Sequence, residues 1–274
     1  MPSYLSSGLA YPLPEQLGLV SPWLPLRLTY VSTTLLKLQM VCGGYLRNPL
    51  NGEVCNMTSE PTCNTGGLSA NTLYYAYLDT GFATPGQFTL ETTAPTTQLG
   101  WLYKTGDVGS LLVGSVYVVS GVQFRDTVTQ RNVTSLYNAR KRSMIAFGAS
   151  QSGITANGAW QTPTNALNLE HVKHPWNATS YWLNHFTSHG TATNETRSGI
   201  DIGASPGTPL VYGYGIRSSG STAYMVSANP PYVNDSDGAS WVFEQARCRV
   251  WGESSGTMAI VGGAANYLLA ECWG

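Results

Sequence analysis

Gly252-Glu253-Ser254-Ser255-Gly256 has the G-x-S-x-G spacing of a nucleophile elbow, in which a serine on a strained strand-to-helix turn relies on a histidine further along the chain as its base. All four histidines, His171, His174, His185 and His189, come earlier in the chain. No helical pattern follows the segment, so a hairpin turn is expected there. Asp235, Asp237, Gly238 and Glu244 fall at four positions of a calcium-loop pattern, but Val233 stands at the first ligand position and strand-like sequence flanks it, which points to a polar turn. Glu170, His171 and His174 offer three donors in a Pro-flanked loop with no fourth ligand, short of what a zinc site needs. Glycoside hydrolysis requires two carboxylates held across a sugar, and nothing in the sequence pairs any two of the 15 acids. Neither a phosphate-binding loop nor a dinucleotide fingerprint is present. The chain is therefore read as non-enzymatic, with no catalytic residues, no cofactor and no metal.

Five cysteines remain: Cys42, Cys55, Cys63, Cys248 and Cys272. Cys55 and Cys63 flank a polar loop at a spacing that permits a local disulfide, with reduced, buried thiols as the alternative. An odd total leaves at least one thiol free or joined to another chain, and assembly in the cytosol would favour the reduced form.

The elements that would carry such residues are written in composition before periodicity. Only 11% of the 274 residues are charged, against roughly 25% in an ordinary soluble domain, while aromatics reach 11%. A surface of hydroxyls, amides and ring edges suits burial against partner chains or contact with sugars. At a formal net charge of −1 there is no electrostatic footprint for nucleic acid. The basic run Arg140-Lys141-Arg142 is the local exception, read as a solvated hinge or a set of structural ion-pair donors. No apolar run approaches the roughly 18 residues of a membrane span, so no membrane insertion is expected. An N-terminus broken by Pro12, Pro14, Pro22 and Pro25, with its first basic residue at Arg27, gives no sign of an export signal.

Taken in order, residues 1–25 are a poor helix and a good extended arm, whose Leu13, Leu17, Leu19, Trp23 and Leu24 need a surface to lie on. Alternation predicts two strands between Leu26 and Val41, parted by Ser32-Thr33-Thr34. Leu73 to Leu78 predicts a strand covered on both faces, and the Val-rich run Leu111 to Val119 a buried one. Val133, Leu136, Tyr137 and Arg140 fall at helical spacing, so a helix is expected over 129–142. The Gly, Ser and Ala-rich passage 148–158 is expected to be a boundary or long crossing. Seven short strands are expected beyond it; in the one spanning Trp241 to Trp251, Val242, Ala246, Cys248 and Val250 share a dry face and Gln245, Arg247 and Arg249 a polar one. The result is an all-β chain of antiparallel β-sandwich or jelly-roll-like domains with at most one or two short helices. It is divided into an arm with the first strands (1–40), a β-rich module (41–147) and a C-terminal sandwich (148–274).

Leu68-Ser69-Ala70-Asn71-Thr72-Leu73-Tyr74-Tyr75-Ala76-Tyr77 resembles the opening of a recurring module of tailed-bacteriophage and prophage virion proteins. Behind it follow Thr89-Leu90-Glu91, Lys104-Thr105-Gly106-Asp107, Leu112 to Tyr117, Gln123-Phe124-Arg125-Asp126, Gln130-Arg131 and Tyr137-Asn138-Ala139-Arg140. The likeness covers roughly residues 40–145, and the cysteines at 42, 55 and 63 depart from it. It implies a structural protein of the virion, assembled in the host cytoplasm and exposed on the released particle: a tail fibre or spike for host attachment, or else a capsid-decorating or head-fibre protein that clamps shell subunits. A polysaccharide depolymerase is the third reading. By the same analogy the arm would engage other virion proteins of the capsid, tail or collar, and the chain would form a homo-oligomer, with a trimer favoured. Attachment would call on exposed rings for stacking on a host-surface glycan, the candidates being Trp160, Trp176, Tyr181 and Trp182, with a place in the core as the alternative reading of each.

Overall fold

The computed structural model describes residues 26–41, 45–48, 54–80, 87–98, 100–165, 167–175, 177–185, 187–189, 195–203, 206–214, 232–235, 242–253, 256–260 and 266–274. The arm over 1–25, together with Trp176, Ser254 and Ser255, lies outside them. Among the described residues every regular element is a strand. The chain forms two compact units, residues 1–124 with 135–139 and residues 125–134 with 140–274.

In the first unit, Leu26–Ser32 and Leu35–Met40 form the expected hairpin, with Thr62–Asn64 added alongside Leu35–Met40. Tyr45–Arg47 and Val54–Asn56 make a separate two-stranded ribbon. A larger sheet runs Phe88–Glu91, Thr72–Asp79, Asp107–Val118, Trp101–Lys104, Pro95–Gln98. Its central strands are covered as their sequences require: Tyr74, Ala76, Tyr77 and Leu78, and Leu111, Leu112, Val113, Val116 and Val118, are all buried. Asn48 joins three segments of this unit through one side chain. Its Nδ2 donates to Thr80 Oγ1 (2.7 Å) and to the Val108 carbonyl (3.0 Å), while its Oδ1 accepts from Tyr103 Oη (3.1 Å). A fully buried amide with each of its ends hydrogen-bonded avoids the cost of desolvating an unmatched polar group.

The helix expected over 129–142 is absent. Strands Gln130–Arg131, Val133–Ser135 and Lys141–Phe147 occupy the interval, and Asn138 sits at φ 52°, a left-handed conformation that no helix accommodates. Every residue from Asn132 to Tyr137 is buried, so the apparent 3.6-residue spacing samples a continuously buried stretch rather than one face of a helix. Side chains tie it down instead: Ser135 Oγ accepts from the Leu28 amide (3.0 Å) and donates to the Tyr137 carbonyl (2.7 Å), and Asn138 Nδ2 donates to the Leu26 carbonyl (2.9 Å).

The second unit is a sandwich. One sheet runs Gln130–Arg131, Asn168–Val172, Phe243–Gly252, Thr196–Ile202, Val211–Tyr214, antiparallel except for the first pair. A second runs Lys141–Phe147, Tyr267–Trp273, Thr179–Asn184, Tyr232–Asp235, and a third Gln151–Thr155, Thr257–Ile260, Thr187–His189. One core joins their inner faces: Leu169, Ile200, Ala246, Cys248 and Val250 from the first, Met144, Tyr181, Leu183, Leu268, Ala270 and Cys272 from the second, Ile154, Met258 and Ile260 from the third. Gln151–Thr155 is a strand inside the glycine-rich passage read as a boundary. Arg142 and Lys141 are ion-pair donors, to Asp126 (2.6 Å) and to Glu271 respectively.

Candidate functional site

Alternation along Phe243–Gly252 separates its two faces as the sequence indicates. Ala246, Cys248 and Val250 point into the core, and Arg247 and Arg249 to the opposite side. Val242, assigned to the dry face from the pattern, precedes the strand and is 42% exposed. Register places Asp201 across from Arg247, Gly199 across from Arg249 and Arg197 across from Trp251, with Tyr212 paired to Gly199 on the other flank. All of these share the outer face.

Its inner part is a buried ion network. Asp201 Oδ2 accepts from Arg247 Nη1 and Arg249 Nη1, at 3.4 Å each, and from the Gly207 amide at 2.8 Å. Two guanidiniums against one carboxylate would leave charge uncompensated in a poorly solvated place. Neutral acceptors fill the gap: Arg247 Nη2 donates to the Gly203 carbonyl (2.8 Å) and Gln245 Oε1 (2.6 Å), and Arg249 Nη2 to the Trp160 carbonyl (2.8 Å). Gln245 Nε2 in turn donates to Glu170 Oε1 (3.0 Å), whose Oε2 accepts from Gln130 Nε2 (2.6 Å), so a second carboxylate is linked across the sheet.

Its outer part is aromatic. The segment before Gln161 is held along the strand by Gly158 N–H to the Gly252 carbonyl (2.9 Å) and by two hydrogen bonds exchanged between Gln161 and Val250 (2.7 and 3.0 Å). That anchoring brings the Trp160 ring 5.6 Å from the Tyr212 ring, inclined at 55°. The Arg197 guanidinium lies 4.3 Å from the Trp251 ring centroid and 5.7 Å from that of Tyr212, within cation–π range of both. Glu195 Oε1 accepts from Arg197 Nε at 2.6 Å, and Glu253 Oε2 accepts the Glu195 amide at 3.1 Å. Tyr212 is 40% exposed, Leu210 beside it 63%, and Trp160 and Trp251 are half-buried. This face can stack planar or ring-shaped groups and exchange hydrogen bonds at its rim.

Of the four rings singled out from sequence, Trp160 joins this face. Tyr181 does not: it is fully buried, with its Oη 3.1 Å from His171 Nε2 and 3.4 Å from Glu244 Oε2, because its side of Thr179–Asn184 faces the core. Trp182 is half-buried on the second sheet, across from Leu269 and Tyr232, and Trp176 lies outside the described residues. Tyr212, Arg197 and Trp251 were missed. The alternation of Arg197, Gly199 and Asp201 is their one sequence signal, and it becomes visible only once Thr196–Ile202 is set against Phe243–Gly252.

The remaining candidates disperse. Glu170 turns to Gln130 and Gln245, His171 to Tyr181 and Thr179, and the His174 ring to Asn177, so the three imagined ligands serve different partners. Among the described residues no group of three His, Cys, Asp or Glu side chains is placed to hold a metal. Cys63 carries a free thiol, half-buried and 3.6 Å from the Asn64 carbonyl; its strand Thr62–Asn64 pairs with Leu35–Met40, while Val54–Asn56 belongs to the separate ribbon. His185, buried against Ser198 Oγ (2.8 Å), has its pKa brought down to about 4 by desolvation of the charged ring.

No protein-family model matches the chain, and no curated protein matches it. Among solved structures it is similar at 11% identity to one titled "Structure of infectious bursal disease virus Gx strain", over 90% of this chain and 72% of that one, with a TM-score of 0.24. That score falls short of a shared fold.

Proposed function

We propose that the protein is a structural component displayed on a phage particle, a tail fibre or spike that contacts the host surface. The virion half of this reading is supported by the module resemblance over roughly residues 40–145 and by an all-β architecture built from a sequence with few charged residues. The attachment half is carried by one observation, the ring pair Trp160–Tyr212 left accessible on a sheet face whose other members are tied into a fixed network.

Particle imaging with an antibody fragment against this chain, together with adsorption assays, tests both halves. Label at the tail or baseplate, and slower adsorption of particles in the presence of excess purified protein, is the expected outcome. Label spread over the shell lattice, with adsorption unchanged, would replace the reading with capsid decoration.

A further inference from the structure

We infer that the Trp160, Tyr212, Arg197 and Trp251 face is a binding site for an uncharged sugar, a ligand class that deepens the attachment reading and rests on it. Three features of the site converge on that chemistry.

The first is shape. Hexose rings present flat patches of C–H bonds, and aromatic faces supply the matching apolar surface; the accessible Tyr212 ring and its Trp160 neighbour meet at an angle that forms a shallow wedge rather than a closed pocket. The second is preorganisation. The backbone carrying Trp160 is held by hydrogen bonds at Gly158 and Gln161, and the Arg197 side chain is held by Glu195 and by two rings, so little of this face has to be ordered when a ligand arrives.

The third is charge, which selects among sugars. Among the described residues the rim holds one guanidinium, Arg197, with two carboxylates, Glu195 and Glu253. The other two guanidiniums, Arg247 and Arg249, are 5% and 7% exposed and committed to Asp201 and to carbonyl acceptors beneath. At the rim itself an acidic saccharide would face two carboxylates and a guanidinium already engaged by Glu195, whereas hydroxyl groups can donate to those carboxylates. A protein partner is the competing occupant, favoured by the exposed Leu210, but a single aliphatic side chain beside the rings is small for a stable protein interface.

The test uses the full chain. Tryptophan fluorescence and calorimetry follow titration with neutral oligomers of glucose, galactose, mannose and N-acetylglucosamine, and with oligogalacturonate as the acidic probe. We expect saturable binding of at least one neutral oligomer, weakened about tenfold or more by Tyr212→Ala and by Trp160→Ala and nearly unchanged by Tyr212→Phe, which keeps the ring and controls for folding. Oligogalacturonate should bind at least about tenfold more weakly than that oligomer, since the rim guanidinium of Arg197 is already paired with Glu195 and Glu253 stands beside it. The inference fails if none of the neutral oligomers binds, if both alanine variants bind like the parent, if the acidic probe binds best, or if Tyr212→Ala changes only self-association. Loss of sugar binding in every titration while purified protein still blocks particle adsorption would remove the ligand class alone. Failure of adsorption blocking would remove the attachment reading.

Discussion

Arg142 Nη2 donates to Asp126 Oδ2 at 2.6 Å, and the same carboxylate takes Arg131 Nη1 on its other oxygen at 3.2 Å. Asp126 is 8% exposed, so the two cations converge on an anion that water hardly reaches. All three residues belong to the second unit, where the two bridges tie Gln130–Arg131 and Lys141–Phe147 to one carboxylate.

Replacing Asp126 by Ala leaves two partly buried guanidiniums facing each other. We expect a loss of about 2–4 kcal/mol for the second unit, because removing one partner of a buried pair costs more than the pair contributes. Lys141→Ala removes a pair whose lysine is 55% exposed and should cost about 1 kcal/mol or less. Urea unfolding followed by tryptophan fluorescence checks both, read as two transitions where the units unfold separately. Equal effects of the two substitutions would show that Asp126 is not the node.

Gly148 illustrates a glycine whose role is proximity rather than flexibility. Its amide donates to the Asn266 carbonyl at 2.7 Å, and a Cβ there would overlap Asn266 Nδ2 and sit 2.9 Å from its Cγ. Gly148→Ala should destabilise by about 1–3 kcal/mol through overpacking against a buried amide. Gly153→Ala meets no neighbour but is held at φ +75°, so its cost should be about 1 kcal/mol. Thermal melts of the two variants distinguish steric from conformational cost, and a Gly148→Ala melt unchanged from the parent would refute the close approach.

Which parts of this fold were readable beforehand follows from what encodes them. Hairpins and alternating strands declare themselves locally: Leu26–Ser32 with Leu35–Met40, and the two-faced Phe243–Gly252, lie where their patterns put them. The stretch 129–142 misled because continuous burial imitates any period, and the turn at Asn138 depends on a hydrogen bond to Leu26, 112 residues away. The candidate site was legible only at Trp160. Arg197, Tyr212 and Trp251 come from three strands whose register no local pattern records, while Tyr181, a stacking candidate with the core as its alternative, alternates with Leu183 into the core.

Native alkylation should rank the described thiols. Cys63 is half-buried, with its pKa raised by desolvation, whereas burial pushes Cys272 up to about 11 and Cys248 higher still. Only thiolates react, so iodoacetamide at pH 8 should label Cys63 slowly in the folded protein and reach Cys248 and Cys272 after denaturation. Peptide mapping by mass spectrometry assigns each site. Early labelling of Cys248 would contradict its position between the sheets.

His185 sets an acid limit on the second unit. Its ring is neutral in the folded chain down to about pH 4, while in the unfolded chain it takes a proton near its ordinary pKa of 6.5. Below pH 6.5 the unfolded state therefore binds the extra proton, and stability falls as pH drops toward 4, by about 3 kcal/mol from this residue alone. Further acidification adds nothing from His185, since both states are then protonated. Urea unfolding at intervals from pH 7.5 to 4 should show the decline, and His185→Asn, which retains a partner for Ser198 Oγ without titrating, should flatten it by that amount. Because His171 and His174 are also buried, the difference between parent and variant is the quantity to compare. Parallel pH profiles would show that His185 does not supply the dependence, and a ring resonance titrating near 6.5 by NMR would place its side chain in water instead of against Ser198.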